Sequence, residues 1–334
     1  MLDLFPKYKV RKPLRLIELF AGYGSQALAL ENLGVEFEHY LAVEFDKYAI
    51  SSYNALHETN FKTQDITQLK DLNVVETNIY DYIVTYSFPC TDLSLAGKGE
   101  GMKRGTRSGL LWEVERLLSS SKELPQVLIM ENVPMIHSKK HNNEFQKWIQ
   151  YLSTLGYSNH WEDLNAKDYG IPQNRTRTFM VSILGEYQFK FPSKIELYLK
   201  LEDLLEDNVD ESFYLEDNKY DKNENCFLIP EATKKGYKEA YVGDGIYTNR
   251  PHQKRGVVQN KMIQTLTTSH NDFAIIVKDL KMRRITIREY LRLMGLNDNQ
   301  IDKIINLHSN AQLYKQAGNS IVVQVLEHIF KELL

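Results

Sequence analysis

Cysteine is nearly absent from this chain: its 334 residues hold 2, Cys90 and Cys226. A disulfide framework is excluded, and a reducing compartment fits best. No run of about 18 apolar residues occurs, so no membrane span is expected. The opening Met1, Leu2 and Asp3 lack the basic and apolar leader of a secretory signal, and none is expected. A dominant charge of one sign is missing too. The net charge is −3 and the isoelectric point about 6.3, so bulk attraction to nucleic acid is not in play. Any such binding needs local basic patches. No internal repeat or low-complexity tract is evident. What remains is an ordinary globular composition, 43% hydrophobic and 25% charged. The length suits one large domain or two moderate ones.

Strand-like and helix-like stretches alternate over the first 185 residues. Strands are expected at residues 14–20, 38–45, 81–86, 127–130 and 178–184. Helices are expected at 25–33, closed by Gly34, and at 110–118 and 143–155. This order argues an α/β fold with a doubly wound, largely parallel sheet. Between 186 and 280 the pattern degrades into short irregular segments, which reads as a second, smaller domain. Helices return at 286–294 and 297–307. Residues 320–333 form a strongly amphipathic helix whose apolar face suits the first domain's sheet. An acidic block at 196–224 reads as a solvated connector.

Several segments carry chemistry. Ser87, Phe88, Pro89 and Cys90 follow the apolar run 82–86, so the thiol is expected in a loop at a strand's carboxyl end, where open α/β sheets bind ligands. A lone cysteine there is either a nucleophile or a small packed hydrophobe. Phe20, Ala21, Gly22, Tyr23 and Gly24 end the first strand, and Glu44 lies 20 residues beyond Gly24. Glycines there let a ligand approach a helix N-terminus, and a carboxylate at that spacing takes ribose hydroxyls. The third glycine of the dinucleotide fingerprint is missing, so a ligand-free tight turn is the rival; Glu44 favours nucleoside binding. Asp65 and Ile66 suit an adenine amino group and face, or simply a turn. Glu131 ends a strand, where burial can raise a carboxyl pKa and make it a proton donor. Arg175 and Arg177 share one face of an extended segment, suiting an anion or a structural ion pair. Lys98, Lys103, Arg104 and Arg107 lie in a glycine-rich loop that reads as a lid over a polyanion or as a merely flexible surface loop. His137 and His141 have metal-ligand spacing but no third ligand in view, so no metal is expected. Cys226 reads as a packed hydrophobe.

In their order, these segments resemble the DNA (cytosine-5)-methyltransferases of bacteria and phages. Glu18 to Gly24 matches the family's Asp/Glu-Leu-Phe-Ala-Gly-x-Gly, and Phe88, Pro89, Cys90, Thr91, Asp92, Leu93 and Ser94 match its Pro-Cys nucleophile motif. Glu131, Asn132 and Val133 match Glu-Asn-Val, and Gln173, Arg175 and Arg177 match Gln-x-Arg-x-Arg. Arg292 to Gly295 matches Arg-x-Leu-Met-Gly, and Tyr314 to Ser320 matches Tyr-Lys-Gln-x-Gly-Asn-Ser. The ordered set covers the chain end to end and is far more specific than any one motif. Four positions depart from the pattern: Ser25 and Ser87 where glycine is common, Thr91 where glutamine is, and Gly109 where threonine is. None removes a group the chemistry needs.

The resemblance implies an S-adenosylmethionine-dependent, Rossmann-like sheet and a smaller target-recognition domain. It implies a catalytic domain over 1–186 completed by 312–334, and recognition over 187–311 with a variable reader at about 220–262. It assigns Cys90 the attack on C6 of an extruded cytosine, Glu131 the contact to N3 and the amino group, and Arg177 the contact to O2. Arg175 would help hold the thiolate or a phosphate, and Pro89 and Asn132 would shape the pocket. Phe20, Gly22, Gly24, Glu44, Asp65, Ile66, Asn319 and Ser320 would hold S-adenosylmethionine. Ser94, Lys98, Lys103, Arg104 and Arg107, with Lys234, Lys235, Arg250, Lys254 and Arg255 of the reader, are the expected DNA contacts. The implied substrate is a short duplex DNA word. The implied setting is the cytoplasm of a bacterium or phage host, with a monomeric enzyme and a restriction endonuclease as candidate partner. Two alternatives stand beside this: a transfer-RNA methyltransferase of the same superfamily, and a catalytically inactive DNA-binding regulator.

Overall fold

The structure is a computed structural model that describes residues 5–89, 102, 108–216, 219–249 and 255–334. The described chain divides into two compact units. The first comprises Met1–Leu164, Thr176–Ser193 and Val325–Leu334; the second comprises Asn165–Arg175 and Lys194–Gln324. These divisions are drawn differently from the expected boundaries at 186/187 and 311/312. Residues 165–175 and 312–324 group with the second unit, and 187–193 with the first.

The first unit is built on β1 (Leu14–Leu19), α1 (Ser25–Asn32), β2 (Phe37–Val43), α2 (Lys47–His57), β3 (Asp81–Tyr86), α3 (Leu111–Ser120), β4 (Val127–Asn132), α4 (Asn142–Thr154) and β5 (Tyr157–Asn165). The two-residue strand β6 (Gln173–Asn174), which belongs to the second unit, precedes β7 (Thr176–Leu184). Six strands form one sheet in the order β2-β1-β3-β4-β7-β5. β1 runs parallel to β2 and β3, and β3 to β4, whereas β7 runs antiparallel to β4. The middle strands are buried on both faces: every residue of β3 and of β4 is buried, as expected of strands covered on both sides. One face packs under Leu111, Val114 and Leu117 of α3 and Phe145, Trp148 and Leu152 of α4.

The register fixes which residues share an edge. Leu19 pairs with Val43 and with Tyr86, and Tyr86 with Met130. Phe20, Glu44, Ser87 and Glu131, each next along its strand, therefore emerge side by side at the carboxyl edge. Because β7 is antiparallel, its start meets the same edge, with Thr178 opposite Asn132. The chain's last residues stay in this unit: Val10 donates to the Leu333 carbonyl, and Asn32 to Glu327.

The second unit holds β8 (Asp221–Lys222), β9 (Phe227–Pro230), β10 (Tyr237–Ala240), β11 (Gly245–Tyr247), β12 (Val258–Gln259), β13 (Ile263–Gln264), β14 (Phe273–Val277) and β15 (Lys281–Arg284). They form sheets ordered β10-β9-β8 and β12-β11-β14-β15, and β13 pairs with β6. Helices α5 (Ile287–Arg292), α6 (Asp298–Ile304) and α7 (Asn310–Asn319) follow, then α8 (Val323–Lys331), which runs across the division. The expected helix starts are helix caps: Thr286 and Asn297 each close a capping box on α5 and α6. The amphipathic helix expected over 320–333 is shorter, beginning at Val323.

Candidate active site

At the carboxyl edge the chain leaves β3 through Ser87, Phe88 and Pro89. Two hydrogen bonds pin this exit: Asn132 Nδ2 donates to the Phe88 carbonyl at 3.0 Å, and the Ser108 hydroxyl to the Pro89 carbonyl at 2.7 Å. Asn132 is itself fixed by the Val133 N–H, which donates to its Oδ1 at 2.9 Å. Asn132 and Ser108 thus hold the backbone of Phe88 and Pro89. Cys90, Ser94, Lys98, Lys103, Arg104 and Arg107 lie outside the described residues, as do Thr91, Arg250 and Lys254.

Glu131 is 8% exposed and sits at the end of β4. Arg177, entering β7 from the same edge, places Nε 3.1 Å from Glu131 Oε1 and donates through Nη1 to the Thr176 carbonyl. A carboxylate and a guanidinium are thereby presented together beside the exit from β3. Arg175 has a different environment. It is 3% exposed, and within the second unit its guanidinium donates to the carbonyls of Leu266, Gly318 and Ser320 at 2.7–3.1 Å. Gln173 of the same motif donates to the Leu293 carbonyl and accepts from the Leu266 N–H. On their shared face the two arginines suited an anion or a structural ion pair; Nη1 and Nη2 of Arg175 donate to backbone carbonyls, and Arg177 forms an ion pair with Glu131.

The glycine turn and the next strand end meet through Glu44. Its Oε2 accepts from the Gly22 N–H at 2.9 Å and its Oε1 from the Asp46 N–H at 2.7 Å. Burial raises the Glu44 pKa, and the two backbone donors oppose that shift. Phe20 and Gly22 take left-handed backbone angles, φ 60° and 58°. Gly24, at φ 84°, caps α1 where an added Cβ would lie 2.3 Å from His57 Nε2. Asp65 caps a single helical turn by accepting from Thr67, and Ile66 is buried beneath it. Arg116 of α3 donates to the Ile66 carbonyl and holds that turn in place. Asn319 and Ser320 end α7 in the second unit, Asn319 exposed and Ser320 buried.

Deeper in the turn lies an ionisable cluster that sequence reading did not find. Glu18 on β1 is fully buried, and burial pushes its pKa up to about 7 against the opposing effects of His57, Tyr53 and the Ala27 N–H. Tyr53 donates to Glu18 Oε2 at 2.6 Å. Burial also lowers His39 to about 4. Two further residues were missed. Phe45, directly after Glu44, is 74% exposed, an apolar ring standing at the strand end. Gln316 of α7 is buried with neither amide atom paired among the described residues. For Phe45, its place after the ribose-type carboxylate was a usable signal; for Gln316, only its membership of the closing motif.

Of the two spaced histidines, only His137 has a hydrogen-bonding or ring partner for its side chain among the described residues. His137 contacts Asp163 at 3.1 Å and lies over Trp161, and His141 is buried at the start of α4. Cys226 is buried. In the second unit, Lys234 and Lys235 are exposed in the turn joining β9 to β10, and Arg255 is exposed just before β12. No helix among the described residues is long and apolar enough to cross a membrane.

Residues 14–334 match the family model described as C-5 cytosine-specific DNA methylase. The chain is 37% identical to the type II methyltransferase M2.ScrFI of Lactococcus lactis subsp. cremoris, with 96% of this chain and 99% of that one covered. It is 33% identical to the type II methyltransferase M.HhaI of Haemophilus parahaemolyticus, covering 95% and 93%. The orphan methyltransferase M.SssI of Spiroplasma monobiae is also 33% identical, covering 96% and 97%. Among solved structures, the Entamoeba histolytica methyltransferase EhMeth superposes with a TM-score of 0.72 at 17% identity, covering 96% and 98%. At that identity the likeness speaks for the fold alone.

Proposed function

Since the chain belongs to the C-5 cytosine-specific DNA methylase family and is a sequence-specific DNA (cytosine-5)-methyltransferase, we propose a division of labour among its residues for that reaction. The observation that carries it is the Glu131–Arg177 pair beside the pinned exit from β3.

Cytosine C5 is a weak nucleophile until something adds at C6. Cys90, one residue beyond Pro89, is the adding group, and attack by its thiolate gives C5 the character of an enamine. Charge developing on the ring during attack falls at N3 and O2. Glu131 holds a proton at N3 and accepts from the exocyclic amino group, and Arg177 donates to O2. Before a base arrives the two side chains satisfy each other at 3.1 Å. Entry of the ring between them exchanges one ion pair for contacts to the substrate. After transfer a base takes the C5 proton and the Cys90–C6 bond breaks, releasing the thiolate. The target atom is stacked within the duplex, so the base must be extruded, and the segment 97–109 is the proposed closing loop. Arg175 acts at a distance, as a positioning residue that stitches Leu266, Gly318 and Ser320 together.

The methyl donor proposed is S-adenosylmethionine, which the family uses, and the residues of the first unit fit it. The fit rests on a carboxylate fixed by two backbone donors at the end of β2, an exposed ring next to it, and the capped turn at Asp65. Glu44 takes ribose hydroxyls, Phe45 offers a face for the adenine, and Asp65 and Ile66 meet the base's amino edge and ring. Phe20, Gly22 and Gly24 let the backbone approach, and Asn319 and Ser320 remain proposed contacts. When bound, the donor supplies an electrophilic methyl group on a sulfonium.

The catalytic domain proposed spans 1–186 and 312–334, with recognition over 187–311. Lys234, Lys235 and Arg255 contact phosphates from the reader, with Arg250 and Lys254. We further propose a monomer acting in the cytoplasm, with a restriction endonuclease of the same site as its counterpart. The test uses S-adenosylmethionine labelled in its methyl group, offered with duplex DNA or with transfer RNA. Label is expected in DNA from the wild type and not from Glu131→Ala. Label in RNA alone would overturn the proposal.

A further inference from the structure

Three side chains from three elements of the first unit converge behind the glycine turn: Glu31 on α1, His39 on β2 and His57 at the end of α2. Glu31 Oε1 lies 2.6 Å from His57 Nδ1 and 3.6 Å from His39 Nε2. The facing atoms of all three lie within 4.8 Å of one another. The His57 side chain is wholly buried, His39 is 19% exposed and Glu31 34%.

Proton accounting makes this meeting unusual. The other nitrogen of His57, Nε2, lies 3.1 Å from the Tyr23 carbonyl. A carbonyl only accepts, so Nε2 carries the hydrogen and Nδ1 presents a lone pair in the neutral ring. His39 Nδ1 lies 3.0 Å from the Tyr53 hydroxyl, whose single hydrogen goes to Glu18 Oε2 at 2.6 Å. With Glu18 ionised, His39 Nδ1 must donate to that hydroxyl, and its Nε2 presents a lone pair as well. With Glu18 ionised and His57 neutral, two imidazole lone pairs and a carboxylate face one another, and the point between them is filled by a proton or by a metal ion.

We propose that Glu31, His39 and His57 form a binding site for a divalent transition-metal ion of the zinc class. Two histidines and one carboxylate, with water in the fourth position, are a ligand set such ions take. The outer partners also match: ligating histidines characteristically donate their second N–H to a backbone carbonyl or a carboxylate. Here His57 reaches the Tyr23 carbonyl, and His39 reaches Glu18 through Tyr53. Metal–ligand bonds of about 2.0–2.2 Å set tetrahedral ligand edges of roughly 3.4 Å. The His39–Glu31 separation of 3.6 Å is already close to this. The His57–Glu31 contact at 2.6 Å must open by under about 1 Å, which a partly exposed carboxylate on a helix surface can do. An ion there ties α1, β2 and α2 together. Through the Tyr23 carbonyl, it also holds the turn that carries Gly22 and Gly24. This inference goes beyond the reaction proposed above, and its test reads metal rather than methyl transfer, so each can fail alone.

The experiment uses the full, tag-free chain, stripped by a chelator and titrated with Co2+ and then Zn2+. One Co2+ per chain is expected, with the strong visible bands of a tetrahedral N/O site, displaced by Zn2+ with a rise in Tm. His39→Gln and Glu31→Gln alter partly exposed side chains, and each is expected to weaken Zn2+ binding by at least about 10-fold. Circular dichroism checks that both variants fold. Absence of stoichiometric binding by the wild type would overturn the proposal, leaving a proton as the occupant. Unchanged affinity in both folded variants would also overturn it, because the ion would then sit elsewhere.

Discussion

Glu131 and Arg177 face each other at 3.1 Å. In the proposed mechanism Glu131→Gln removes the proton that relieves N3 while keeping the side chain's shape. Single-turnover methyl transfer should fall by about 10²–10⁴-fold, with DNA binding in a gel-shift assay changed little. Glu18 makes a stability prediction. Its pKa of about 7 in the fold, against an ordinary 4.5, means the folded state holds the proton more tightly. Its contribution is therefore fully present below about pH 4.5 and is lost as pH rises to about 7. His39, lowered to about 4, gives a slope of opposite sign between about pH 4 and 6.5, so the whole protein's profile hides both. The difference between Glu18→Gln and the wild type isolates Glu18. In chelator-containing buffer the variant should gain relative stability from about pH 4.5 to 7, by on the order of 3 kcal/mol, and no more above that. Urea titrations across that range check this. At this scale the motifs singled out Glu131, Arg177 and Glu44, and the structure shows their placement at strand ends. Glu31, His39 and His57 were not, because they lie 8 and 18 positions apart with no pattern linking them; only the α1–β2–α2 topology brings them together.

Among the elements, those with a continuous or periodic apolar pattern were the readable ones. β3 was expected at residues 81–86 and spans Asp81–Tyr86, because a strand covered on both faces carries a nearly continuous apolar run, here Tyr82 to Val84 and Tyr86. β5 escaped notice. Its Tyr157–Asn165 run is mostly half-exposed or exposed, with buried residues only at Tyr157 and Leu164, as befits the outer strand of the sheet. α7 escaped too, since Leu313, Tyr314 and Ala317 are its only buried apolar side chains and a glycine sits in its last turn. That glycine has a reason. An added Cβ on Gly318 would come 2.1 Å from the Thr267 carbonyl oxygen, which also accepts from Tyr290. Backbone cannot yield as a side-chain tip can. Gly318→Ala should cost about 2–4 kcal/mol in chemical denaturation. The two arginines show how an extended-segment pattern meets a change of element. Alternation along an extended segment put Arg175 and Arg177 on one face, but the chain passes from β6 to β7 between them, and each takes its own surroundings.

At the level of the whole molecule, a nearly neutral chain must bind a polyanion through a few local charges. The strands of the reader segment are two to four residues long, too short to show a period, which is why that part of the sequence yields composition but little architecture. Its exposed Lys234 and Lys235 still make a quantitative claim. Replacing both by alanine should weaken DNA binding across all sequences and lower the slope of log K against log salt by about 2. Binding isotherms at several salt concentrations measure it. The central claim, however, is covalent: that the residue after the pinned Pro89 attacks the base. Duplex DNA carrying 5-fluorocytosine at the target position traps such an adduct, because fluorine at C5 blocks the elimination that frees the thiolate. Incubated with S-adenosylmethionine and run on a denaturing gel, the wild type is predicted to give a protein–DNA band that survives denaturation, and Cys90→Ala none. An equal band from Cys90→Ala, or no band from a wild type that methylates ordinary DNA, would contradict the account.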